Sequence, residues 1–164
     1  SLSPMEATQR FAGRQPTVLT VEDVRRRLPL LRRLATDIVD CYLHLKKSRE
    51  RLEELMVISR KFCSGEIEET INSLRREVTE CEQALEVYEK EARDLGGVLK
   101  DRNRGLVYFY SERGNRRIFL IWEMREPELL SWHELDETFS DRMPLERARG
   151  SDTRSSALEF PEPD

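Results

Sequence analysis

Between Ile67 and Leu95 the apolar positions Ile67, Ile71, Leu74, Val78, Cys81, Leu85, Tyr88, Ala92 and Leu95 recur in alternating steps of four and three. That spacing lays one narrow apolar seam along a helix, and a narrow seam needs a second helix to close it. An upstream run supplies the partner: Val24, Leu28, Leu31, Ala35, Ile38, Tyr42, Leu45, Leu52 and Met56 keep the same register, with Arg49 in the one skipped position. Ser64-Gly65 is the only turn signal between the two runs, so they are predicted to be antiparallel neighbours.

The ends of both runs carry helix punctuation. Thr20 can cap the first, and Glu22 and Asp23 place acids where the positive end of the helix dipole favours them. Pro29 lacks an N–H, but the heptad keeps its phase across it, which predicts a kink rather than a loop. Gly96-Gly97 closes the second helix with the residue type that accepts a left-handed terminus.

After Leu99 the period falls to two. Gly105-Leu106-Val107-Tyr108-Phe109-Tyr110 and Arg117-Ile118-Phe119-Leu120-Ile121-Trp122 are β-branched and aromatic runs around a turn at Glu112-Arg113-Gly114-Asn115, the pattern of a β-hairpin. A third short strand is predicted at Leu129-Leu130-Ser131-Trp132, and so small a sheet has to cover one face with the helices. The expected fold is mainly α with a small β subdomain. A coiled-coil-like helical hairpin at 20–95 is capped by a short antiparallel sheet at 98–145. A flexible segment, 1–19, precedes them, and a disordered tail rich in Arg, Gly, Ser, Asp and Pro, 146–164, follows.

Charged residues at 37% and apolar residues at 38% suit long helices with a solvated face. The net charge of −4 provides no general attraction to nucleic acid or anionic lipid. Its distribution is more informative. Residues 21–63 hold 11 Lys and Arg against 7 Asp and Glu, whereas 64–95 hold 4 against 10. A basic helix folded on an acidic one is favourable, and two acidic helices side by side repel.

Cys41, Cys63 and Cys81 lie on or beside the seams. A turn centred on Ser64 sets Cys81 level with about residue 48, leaving Cys41 roughly 10 Å away along the axis, too far for a disulfide. Free thiols and the lack of an N-terminal apolar segment predict a cytoplasmic protein. No run approaches the roughly 18 apolar residues of a membrane span.

The opening Leu-Thr-Val-Glu-Asp-Val from Leu19, Leu28-Pro29-Leu30-Leu31, Gly105-Leu106-Val107-x-Phe109, Ile121-Trp122 ahead of Glu126-Pro127, and Trp132-His133-Glu134-Leu135-Asp136 together resemble a bacterial family. It is domain-of-unknown-function family 2203, and the resemblance spans about residues 18–145. It implies the hairpin-plus-cap architecture and supplies no mechanism. Family members tend to carry an acid at Tyr108 and a cysteine at Ile121, which implies no required catalytic or metal role for either position here.

His133, Glu134, Asp136 and Glu137 form the densest group of candidate metal ligands and acid–base residues. On an extended segment His133 and Glu134 face opposite ways, so a metal ion, the one cofactor these residues suggest, needs ligands from elsewhere, such as His44. The plainer reading has Trp132 packing, His133 bonded to a carboxylate and Asp136 capping a turn. Arg142 is expected to grip an upstream acid, with a ligand anion as the alternative.

Arg25-Arg26-Arg27 and Arg32-Arg33 lack the interleaved aromatics of a nucleic-acid surface and read as a solvated helix face. Trp122, Trp132 and Arg142 are the candidate contacts for a protein partner at the aromatic cap. No phosphate-binding loop, Cys-x-x-Cys pair or nucleophile elbow is present. Leu34, Cys41, Leu55 and Phe62 widen the first helix's apolar stripe beyond one seam, enough for a homodimer of hairpins. The function that follows is a non-enzymatic interaction or scaffold protein. The alternative is a metal-dependent or acid–base enzyme built on His133, Glu134 and Asp136.

Overall fold

The structure, a computed structural model, describes residues 17–62 and 64–145. Helix α1 (Val21–Lys61) starts at a capping box: the Thr20 side chain accepts from Asp23 N and the Asp23 carboxylate accepts from Thr20 N, both at 3.0 Å. It runs for 41 residues with Pro29 inside it and ends on Arg60 and Lys61, cations at the negative end of the dipole. Helix α2 (Gly65–Asp94) is capped by the Ser64 hydroxyl, which accepts from Ile67 N at 3.3 Å. Gly65, read as part of a turn, is already its first helical residue. Gly96 then takes a positive φ of 91° and releases the chain into the sheet.

The sheet has five antiparallel strands in sequence order: β1 (Gly97–Asp101), β2 (Leu106–Arg113), β3 (Arg116–Glu123), β4 (Ser131–Glu134) and β5 (Met143–Pro144). The central β2–β3 hairpin is where period two predicts it. The third predicted strand moves two residues, from Leu129–Trp132 to Ser131–Glu134. The two outer strands are additions to the three expected. Gly97–Asp101 is too short to show alternation apart from the helix it follows, and Met143–Pro144 is a two-residue edge pairing with no sequence signature.

Alternation divides the sheet's side chains between two cores. Val107, Phe109, Ile118, Leu120, Trp122 and Trp132 turn toward the helices and join Val21, Val24, Leu28, Leu31 and Ala35. Tyr108, Tyr110, Phe119 and Ile121 turn the other way and are covered by Leu135 and Phe139 of the chain after β4. Leu19, assigned to the flexible N-terminal segment, is buried, and its N–H donates to Tyr110 O at 2.8 Å beside the sheet. The rest of that segment, 1–16, and the tail at 146–164 lie outside the described residues.

Higher up, Ile38, Leu45, Cys81 and Leu85 close the seam between the helices. Here one expectation is corrected. Cys41 lies level with Cys81, its thiol 3.5 Å from the Cys81 carbonyl oxygen. The chain leaves α1 at Lys61, so the reversal is centred ahead of Ser64, and α2 sits lower against α1 than a turn at Ser64 implies. Both thiols are free.

Candidate functional site

The side chains singled out from the sequence converge on the β cap, and the alternation of β4 separates them. His133 pairs across the ladder with Phe119 and faces the outer core, 1% exposed, with edge-to-face contacts to Tyr108 at 5.0 Å and Phe119 at 5.8 Å between ring centroids. Its Nδ1 lies 2.6 Å from the Glu134 carbonyl oxygen, which makes Nδ1 the protonated nitrogen and leaves Nε2 as a buried acceptor without a donor among the described residues. The backbone oxygen takes the place of the expected carboxylate. Burial pulls the His133 pKa below its ordinary value. The Glu134 carbonyl, Glu137 and Asp141 oppose that shift, and Lys100 adds to it.

Glu134 pairs with Ile118 on the opposite face and holds Arg116 at 2.9 Å. Asp136 is exposed beyond the strand. The turn-capping role expected of it falls to Glu137, whose carboxylate accepts from Glu134 N at 2.8 Å. His44 faces Glu77 across the hairpin at 3.7 Å. His133, Glu134 and Asp136 therefore do not meet, and among the described residues no three His, Cys, Asp or Glu side chains gather as metal ligands.

Arg142 does not grip an upstream acid. Its guanidinium donates to the Phe139 carbonyl at 3.1 Å and stacks 3.9 Å from the Phe139 ring centroid. The nearest acid in sequence, Asp141, is taken up by Thr138, whose N–H and hydroxyl both donate to it at 2.9 Å. Arg104 also stacks on Phe139, at 4.3 Å, and makes a two-point contact with the buried Glu123 at 2.9 and 3.1 Å. The Arg104 hydrogen bonds hold the Glu123 carboxyl below its usual range. Glu126, whose carboxylate accepts from Glu123 N, is pushed upward by burial. Neither Arg104 nor Glu123 was singled out from sequence, because nothing local marks partners nineteen positions apart.

Trp122 and Trp132, the other candidate partner contacts, pack inward at 0% and 4% exposure. The Trp122 indole donates to Glu126 O at 3.0 Å under the Arg32 guanidinium. Arg32 in turn donates to the carbonyls of Met124, Glu126 and Pro127, and Arg27 to that of Leu95. Two of the five arginines in the basic run thus fasten the hairpin to the cap. A cleft of about 780 Å³ opens beside them, lined by Leu28, Pro29, Pro127 and Leu129 with Arg25, Arg32 and Glu128, and it contains no paired nucleophile and base.

At the other end the hairpin reaches past the cap. The Lys46 ammonium bonds Asn103 at 2.6 Å, and beyond it the polar contacts among the described residues join the helices only to each other, as Ser48 to Glu77 and Arg49 to Glu82. This arm extends about 20 Å at 1.5 Å per residue. Its tip exposes Val57, Ile58 and Phe62, at 54%, 39% and 65%, beside a groove of about 360 Å³ between the helices lined by Met56, Ile71, Glu68 and Arg75.

A long antiparallel helical hairpin whose base is covered by a five-stranded antiparallel meander defines the class of this protein, mainly helical with a small β part. The chain belongs to the family described as uncharacterized conserved protein (DUF2203), whose sequence profile matches residues 17–145. No curated protein and no solved structure is significantly similar to it. Among the described residues, no helix is long and apolar enough to cross a membrane.

Proposed function

We infer that the protein is a non-enzymatic interaction module that self-associates through the free end of its hairpin into a homodimer. The observation that carries this reading is the apolar tip of Val57, Ile58 and Phe62 on an arm that the cap does not cover. Large apolar side chains clustered on a soluble surface mark contact sites. Charge favours a second copy as the occupant. A two-fold axis can set the basic α1 of one protomer against the acidic α2 of the other, whereas pairing α2 with α2 brings acid against acid. The two free thiols at the seam support the cytoplasm as the place of action.

Sedimentation equilibrium tests the reading on the 164-residue chain, whose monomer mass is 19.4 kDa. The expected result is a dimer at micromolar concentration. Ile58→Ser combined with Phe62→Ser should weaken it at least about tenfold while the melting temperature of the monomer holds, since exposed side chains contribute little to folding. A monomer at those concentrations, or a dimer indifferent to the two substitutions, refutes it.

A further inference from the structure

The helix-facing side of the sheet ends in a group of polar atoms that have no hydrogen-bond partners among the described residues. Ser111 and Arg113 continue the alternation of Val107 and Phe109, so they point to the same side as Trp132. Arg113 is 8% exposed, and its guanidinium carbon lies 4.6 Å from the Trp132 ring centroid. Arg113 Nε, Trp132 Nε1 and Ser111 Oγ are all enclosed, and none has a hydrogen-bond partner among the described residues.

Among the described residues no carboxylate stands within ion-pair distance of Arg113. Glu134, which shares this face, is engaged by Arg116 at 2.9 Å. Arg104, Arg102 and Arg49 each have an acid beside them. The Nε edge of Arg113 is the enclosed part of its guanidinium, and buried N–H groups in folded proteins find acceptors. Each of the three groups can donate: a guanidinium, an indole N–H that can only donate, and a hydroxyl. Their common complement is an acceptor with several lone pairs and a negative charge.

We propose that Arg113, Trp132 and Ser111 form a binding site for an oxyanion, a carboxylate or a phosphate, at the end of β2. The guanidinium fork provides charge and two-point geometry, the indole N–H and the Ser111 hydroxyl provide direction, and the surrounding apolar core strengthens each bond by excluding water. This site is separate from the hairpin tip, and its failure leaves the self-association reading untouched.

The two indole N–H resonances of the 164-residue chain provide the test, because the Trp122 indole is already bonded to Glu126 O and serves as an internal reference. Titration with acetate or malonate, and separately with inorganic phosphate, should move the Trp132 resonance saturably and leave that of Trp122 in place. Tighter binding of the carboxylates or of phosphate decides which of them the site takes.

Arg113→Met should weaken binding at least about tenfold, the value of a charged hydrogen bond. In the absence of anion it should melt no lower than the wild type, since it removes an enclosed N–H that has no acceptor among the described residues and keeps the packing on Trp132. Ser111→Ala, which disturbs no existing bond, should weaken binding about threefold with the melting temperature unchanged. The proposal is overturned if neither kind of anion moves the Trp132 resonance, if the shift survives Arg113→Met, or if Arg113→Met melts below the wild type.

Discussion

Gly105 and Gly114 share the same positive φ in different surroundings, so substituting both separates a conformational cost from a packing cost. Each has φ of +62°, where an L side chain is strained by about 1 kcal/mol. At Gly114, in the β2–β3 turn, an added Cβ meets nothing within 4 Å. At Gly105 it would stand 2.8 Å from Met124 Cβ and 3.4 Å from both Ala35 Cβ and Val39 Cγ2. Met124 Cβ is tied to the backbone, and Met124 N is bonded to the Gly105 carbonyl at 3.1 Å, so it cannot swing aside.

Overpacking of this kind costs about 1 to 3 kcal/mol. Gly114→Ala should therefore lose about 1 kcal/mol, and Gly105→Ala roughly 2 to 4. Each substitution also restricts the unfolded chain to the same degree, and that contribution cancels in the difference. Urea unfolding followed by far-ultraviolet circular dichroism measures both, with equal m-values as the sign that only stability has changed. Losses equal within about 0.5 kcal/mol would refute the reasoning, because they would mean that the β1–β2 turn is not pressed against Met124.

Two further outcomes follow from buried titratable groups. His133 has a folded pKa below its unfolded value, so its contribution is complete above the ordinary histidine range and is lost as pH falls from about 6.5. His133→Gln should flatten the fall in melting temperature between pH 7 and pH 5, and parallel curves for the two proteins would sink the assignment. Burial pushes the Cys41 thiol up to about 11, with its contact to Cys81 adding to the shift. At pH 8 its thiolate fraction is then about a hundredfold below that of an ordinary cysteine, so iodoacetamide should label Cys41 about a hundredfold more slowly, as read by peptide mass mapping. Labelling at the rate of a free thiol would contradict the burial.

The elements that could be read from the chain alone are those specified by near neighbours. The steps of four and three through Ile67–Leu95, the cap at Thr20 and the glycine after Leu95 each act within a turn or two of helix, and the hairpin follows from them. Period two in Gly105–Tyr110 and Arg117–Trp122 likewise defines the central strands; the structure carries the first of them on through the predicted turn to Arg113, on the same side as Phe109. The same alternation was enough to show that His133 and Glu134 part company on β4.

What the tertiary structure alone decided concerns residues brought together across long stretches of sequence. The level of Cys41 against Cys81 depends on where α1 gives way to α2, and a few residues there shift the facing positions by about two helical turns. Composition marks Trp122 and Trp132 as aromatic, but only the covering helices make them interior. Arg142 turns to the Phe139 carbonyl and ring, while Asp141 is bonded by Thr138. Whether a charge is paired is a question of which side chains the sheet and helices bring within about 4 Å, and spacing along the chain carries no record of that distance. Arg113 had acids available in the sequence, and the fold placed none of those in the described chain within reach of its guanidinium.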